Sequence, residues 1–364
     1  MKLIIKNRYT SLLLILLFSL LNNFLLAQKV VPYQDDFFVI NHFVFSDGNS
    51  LDSLRLHYYY VGTPHVNKEG QIDNAVIIMH GTGGSGESFL TANFAGQLFK
   101  EGQILDAKNY FIILPDGIGH GKSSKPSDGL KMKFPAYTYD DMVDANYLLL
   151  TKHLKIAHAR LVMGTSMGGM QTWVWGYRYP DFMDALMPLA SVPIEIAGRN
   201  RMIRKMIIDA IKDDPNWQNG NYKDEPALGI KHALNSLMMM SSVPMQWQKE
   251  APTKEAAELF LQKWLANAQK GRDANDMIYQ FDASRYYNPA PHLKKIKAPL
   301  LAINSADDQV NPPELKVLDT AITKVQKGRF ILLPISSETR GHGTHSLPKI
   351  WGDYLKEFLD QTRK

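Results

Sequence analysis

Gly164-Thr165-Ser166-Met167-Gly168 fits G-x-S-x-G, the spacing of a serine held on a sharp turn between a strand and a helix. An apolar run, Arg160–Ser166, ends at the serine, and helical residues, Met167–Tyr179, begin directly after it. On such a turn a side chain at either flanking position would collide with neighbouring backbone, which is the reason for glycine there. The serine hydroxyl then projects from a sheet edge towards a helix N-terminus, where the dipole and free N–H groups favour a developing negative charge. A serine so placed can attack a carbonyl carbon and carry an acyl group, provided that a base removes its proton.

The base that accompanies this turn comes later in the chain and is preceded by an acid. Of 11 histidines, His342 and His345 in "SETRGHGTH" meet that order near the end of a strand-like run. His342, between two glycines, is the expected base, and His345 reads as a residue at the start of the last helix. A metal held by this pair would need a third ligand, and none lies nearby. The acid is expected just after the penultimate strand, where "INSADDQVNPPE" offers Asp307 and Asp308. An acid four residues before a proline suits this loop, which selects Asp308 ahead of Pro312 and leaves Asp307 as a solvated or turn-forming neighbour. The acid would hold the imidazole in one tautomer and stabilise the imidazolium.

An oxyanion needs two backbone donors. The N–H of Met167 is one, and Thr82 in "HGTGGSGES" (His80–Ser88) is the other. That loop lacks the G-x-x-x-x-G-K-[ST] pattern and any lysine, so it is not a phosphate cradle; His80 is expected to orient it. Asp116 and His120 in "LPDGIGHGKSSKP" precede Ser166, against the required order, and read as turn residues. Trp173 and Trp175 read as core. The methionines of "LMMMSSVPM" (Leu237–Met245) read as helix core as well, with adaptable thioethers wherever one face opens on the site.

The elements that must position these groups alternate along the chain. Leu54–Gly62 is strand-like, and Ala75–Gly81, Tyr110–Gly117, Arg160–Ser166, Ala185–Ser191, Pro299–Asp308 and Arg329–Ser336 are short continuous apolar runs. Runs without polar alternation suit strands buried on both faces of a parallel sheet. Helical segments lie between them, at Asp140–Leu154, Met167–Tyr179, Glu314–Val325 and Ile350–Gln361. The fold class expected is α/β, a mostly parallel sheet flanked by helices. Between Ser191 and Ala298 the rhythm breaks into helices alone. With Ala75–Gly81 taken as the third strand and Ala185–Ser191 as the sixth, this insertion is expected to cap the C-terminal sheet edge, where such folds bind ligands. The division is a core at residues 28–191 and 298–364 with a helical lid at 192–297.

Bulk properties narrow the function. The formal charge of +5 includes Lys2, Lys6 and Arg8, and without them 38 basic residues face 36 acidic ones. A nearly neutral body gives no electrostatic case for nucleic acid. The chain has no cysteine, hence no disulfide, thiolate metal site or thiol nucleophile. The start "MKLIIKNRYT" is basic, "SLLLILLFSLL" is apolar, and a small residue, Ala27, follows. That order is the order of an export signal cleaved after Ala27, making the membrane relevant only to export and the destination periplasmic or extracellular.

At these residues the sequence resembles the α/β-hydrolase superfamily, and more narrowly the homoserine O-acetyltransferase family. "GTSMGGMQTWVWGYRYPDFMDALMPLAS" resembles that family's elbow, "DDPNWQNGNY" and "PALGIKHA" a stretch of its lid, "DDQVNPPE" its acid loop and "GHGTH" its histidine loop. The resemblance implies Ser166 as the acyl-accepting nucleophile, with Asp308 and His342 beside it. Two segments depart from the family. "HGTGG" stands where the acetyltransferases carry His-Ala-Leu-Thr-Gly, and Leu234 stands where they carry an arginine that suits an amino-acid carboxylate. An exported enzyme would also not meet acetyl-CoA. The expectation is therefore a serine hydrolase acting on a small-molecule carboxylic ester, with no cofactor and no metal. Acyl transfer to an alcohol is the second reading, and a binding protein on the same scaffold the third.

Overall fold

The computed structural model describes residues 30–363; the expected export signal at residues 1–27 lies outside them. Eight strands form one sheet in the order β1-β2-β4-β3-β5-β6-β7-β8. They are β1 (Gln34–Val44), β2 (Ser50–Val61), β3 (Ala75–Met79), β4 (Phe111–Pro115), β5 (Leu161–Thr165), β6 (Leu186–Leu189), β7 (Leu300–Ser305) and β8 (Gly328–Leu333). β1 pairs antiparallel with β2, and β2 with β4; every later neighbour is parallel. β1 is the strand that the apolar pattern did not show. It is an edge strand with mostly exposed side chains, so no continuous hydrophobic run marks it. With it present, Ala75–Met79 is the third strand and Leu186–Leu189 the sixth.

The central strands are apolar throughout because both faces are covered. Ile77 and Met79 of β3 join Val162, Leu186 and Leu300 on one face, against Trp173, Val174 and Trp175. Val76 and Ile78 join Leu161, Met163, Leu301 and Ile303 on the other, against Trp351, Leu355 and Phe358. The helices concerned are α2 (Tyr139–Leu148) and α3 (Met167–Arg178) on the first face. On the second they are α1 (Ala95–Leu98) and α10 (Pro348–Gln361). Both tryptophans of α3 are fully buried, as core residues are.

Between β6 and β7 the chain is helical: α4 (Gly198–Lys212), α5 (Ala227–Met240), α6 (Pro244–Glu250), α7 (Lys254–Ala268) and α8 (Ala274–Asp282). These helices enclose their own small core of Ile207, Ile211, Trp217, Ile230, Leu234 and Phe281. Asp214 knits its start, accepting hydrogen bonds from the Asn216 and Gly229 N–H groups. The helix expected over Glu314–Val325 is broken into short turns around α9 (Val317–Ala321). Lys316 adopts a left-handed conformation (φ 48°) directly before it, which an α-helix does not admit.

Close backbone approach fixes α3 on the sheet. A Cβ on Gly164 would lie 2.2 Å from the Gly168 carbonyl oxygen, and one on Gly168 would lie 1.9 Å from the Met79 carbonyl oxygen. Neither neighbour is a side chain that could swing away. Gly168→Ala should therefore lower stability by about 1–3 kcal/mol or more, seen as a reduced urea midpoint; an unchanged midpoint would mean that α3 does not rest on β3 in this way.

Candidate active site

Ser166 sits at the junction of β5 and α3 with φ 55° and ψ −112°, a strained conformation for a residue with a side chain. Its own N–H donates to the Leu189 carbonyl, and its carbonyl accepts from Met170 N–H, so backbone on both sides holds the turn. Met167 opens the helix, where N–H groups have no intrahelical acceptor.

The loops after β7 and β8 bring Asp308 and His342 to this serine. His342 Nε2 lies 2.8 Å from Ser166 Oγ, and His342 Nδ1 lies 2.9 Å from Asp308 Oδ2. A carboxylate only accepts, so Nδ1 carries the proton and Nε2 is free to accept from the serine hydroxyl. Asp308 is fully buried. Burial alone would raise its pKa. Facing His342 and accepting hydrogen bonds from His342 and from Asn311 outweigh that and hold it below the usual carboxylate range. Val310 and Asn311 N–H groups also donate to Asp308 Oδ1, at 2.7 and 3.2 Å.

Asp307 is half-buried and does more than form a turn. Its carboxylate accepts from Ser305, from Thr339 Oγ1 at 2.8 Å and from Gly341 N–H at 3.1 Å, which ties the acid loop to the histidine loop. The adjacent aspartates thus face opposite ways, one towards the imidazole ring and the other towards the backbone that carries it. His345 packs edge-on against His342, with ring centroids 5.3 Å apart. Burial first, and His342 second, push its pKa down to about 3, so it is a neutral neighbour.

The loop after β3 reaches over the serine: a Cβ on Gly81 would lie 3.4 Å from Ser166 Cβ, and Thr82 lines the same cavity. His80 clamps this loop. Its Nδ1 lies 2.8 Å from the Gly81 carbonyl oxygen, and its Nε2 accepts from Gly117 N–H. Asp116 does more than form a turn. Fully buried, it accepts from Gly86 N–H at 2.7 Å, from Lys122 N–H at 2.8 Å and from His57 Nδ1 at 2.8 Å. The other ring nitrogen of His57 lies 2.9 Å from Asp35 Oδ2 on β1. Burial opposes ionisation of Asp116, yet these hydrogen bonds, that from His57 first, hold it below the usual range. His120 turns its Nδ1 to the Ile118 carbonyl, and burial pushes its pKa down to about 3. His57 and Asp35 carry no local motif, and only the sheet brings them beneath the loop.

Ser166 and His342 open into a cavity of about 500 Å³. Its lining includes the histidine loop and the loop after β3, together with Arg204 of α4, Leu237 and Met240 of α5, and Phe281 of α8. Of the methionines expected in the core, Met238 and Met240 are buried, whereas Met239 and Met245 face outward. Leu234 is fully buried in the helical core rather than on the cavity wall. The absence of an arginine at 234 therefore does not leave the cavity without a cation, because Arg204 supplies one from another helix. Among the described residues, no group of three histidine or acidic side chains could hold a metal ion.

Residues 74–330 match the family model of the alpha/beta hydrolase fold, and the chain belongs to that family. A probable acyltransferase from Methanothermobacter thermautotrophicus is 29% identical over 324 residues, spanning 89% of this chain and 97% of that protein. Among solved structures, that of esterase E22 superimposes with a TM-score of 0.78 at 19% identity, over 90% of this chain and 100% of that one. The homoserine O-acetyltransferase from Bacillus anthracis gives 0.78 at 22% identity, over 91% and 98%. Both share the fold.

The folded state holds Asp116 and Asp308 below their ordinary pKa, so their contribution to stability is complete above about pH 4 and is lost as pH falls through the folded values. Asp116→Asn should cost about 3 kcal/mol at neutral pH and lose less than the parent on acidification. Urea midpoints at pH 7 and at about pH 2, below the ordinary carboxylate pKa, check this; an identical acid loss in both proteins would remove Asp116 from the account.

Proposed function

We propose that this protein is an exported serine esterase that cleaves a carboxylic ester through an acyl-enzyme. The observation that carries the reading is the unbroken chain Asp308–His342–Ser166 opening on a cavity of about 500 Å³. His342 Nε2 takes the Ser166 proton as Oγ attacks the ester carbonyl. The oxyanion is held by the N–H groups of Met167 and Thr82, backbone donors that would stabilise the charge as it develops. The alcohol leaves with the proton from His342. The same ring then activates water, which frees the acid and returns Ser166. Asp308 keeps the imidazole oriented and stabilises its cationic form. Export rests on the basic and apolar order of residues 1–27.

A second reading has specific support: the long match to a probable acyltransferase. Its first half-reaction is identical, and an acceptor hydroxyl replaces water in the second. The compartment implied by the N-terminal sequence, where acetyl-CoA is absent, favours water.

Ser166→Ala should reduce ester cleavage by about 10⁴-fold or more and abolish labelling by a fluorophosphonate probe; substantial residual cleavage would refute the assignment. With the parent protein, product analysis of acetyl esters and of acetyl-CoA plus homoserine separates the two acceptors. Acid release from the esters with inert acetyl-CoA fits hydrolysis, whereas acyl-homoserine without acid release would establish transfer.

A further inference from the structure

Arg204 is 5% exposed, yet no carboxylate pairs with it among the described residues. Its Nε donates to Asn200 Oδ1 at 2.9 Å, and its guanidinium lies 5.9 Å from the Phe281 ring centroid. Its Nη1 is buried without a partner. One turn earlier, Arg201 faces Asp282 at 3.7 Å, so the helix does carry a paired arginine where pairing serves structure. A guanidinium stays charged inside proteins, and burying one without a counter-ion is costly. Arg204 lines the same cavity as Ser166, and no aspartate, glutamate or lysine does. Asn200 and Phe281 hold the planar group in one orientation and leave hydrogen-bond donors over. Planar donors of this kind match a carboxylate, which accepts two parallel bonds.

We propose that Arg204 recognises a carboxylate, and that the preferred substrate is a small ester carrying one on its acyl or its alcohol part. This rests on the ester-cleaving reading of Ser166. The cation enters from α4, and its position owes nothing to residue 234.

Paired substrates test it. p-Nitrophenyl hemisuccinate and its methyl ester place or mask a carboxylate on the acyl side. Acetoxyacetic acid and its ethyl ester do the same on the alcohol side. For at least one pair, Arg204→Met should lower the kcat/KM ratio of charged to neutral ester by about 10- to 100-fold. Arg204→Lys should lower it less, and the responding pair identifies the side. A ratio unaltered in both pairs overturns the proposal. Two measurements do not require the methionine variant to fold. Succinate should inhibit the parent protein while succinamide does not, and Ser166→Ala should bind succinate by calorimetry. Equal inhibition by both compounds would overturn the anion site. Cleavage of neutral esters with no Arg204-dependent discrimination would leave the esterase reading standing and remove this one. Arg204-dependent succinate binding without any ester cleavage would do the reverse.

Discussion

The structure depends on backbone packed against backbone at one turn. Gly164 and Gly168 leave no room for a Cβ between β3, β5 and the start of α3. That contact holds the helix N-terminus at the sheet edge and keeps Ser166 in a conformation costing on the order of 1–3 kcal/mol. The rest of the site is assembled by topology. In a parallel sheet the strands end at a common edge. Thr82 after β3, Ser166 after β5, Asp308 after β7 and His342 after β8 therefore converge, although 260 positions separate the first from the last.

Three aspartates near this edge show how environment divides one chemistry into separate duties. Asp308 turns its charge to the imidazole, Asp307 braces the histidine loop, and Asp116 gathers donors from the loop after β3 and from its own. For the two fully buried ones, Asp116 and Asp308, desolvation opposes the charge and hydrogen bonds restore it. The loss of one partner at such a site leaves an uncompensated buried group, which costs more than an ordinary bond contributes.

How much could be read from the sequence follows from how local each feature is. The elbow was legible because glycine, serine and glycine lie within five residues, and Asp308 and His342 because chain order constrained them. The apolar strands declared themselves through their composition. β1 did not, since an exposed edge strand needs no apolar run. Asp307 could be weighed only against its neighbour, as the direction of its carboxylate depends on a partner 32 residues away. His57 and Asp116 meet across 59 positions and Asp35 joins from another strand, so no spacing announces them. Arg204 sits among four cations in "RNRMIRK", and which one turns inward is set by the packing of the helical insertion.

The Asp35–His57–Asp116 chain gives the beginning of the described chain a share in the site. Asp35 stands on the outermost strand, yet its contact with His57 passes to Asp116 and on to the Gly86 N–H of the loop after β3. The edge strand is thus a lever whose far arm reaches the loop after β3. Removing Asp35 would leave Ser166, His342 and Asp308 in the chain and still take away the anchor of that arm, so an outer strand and a loop above the serine share one structural requirement.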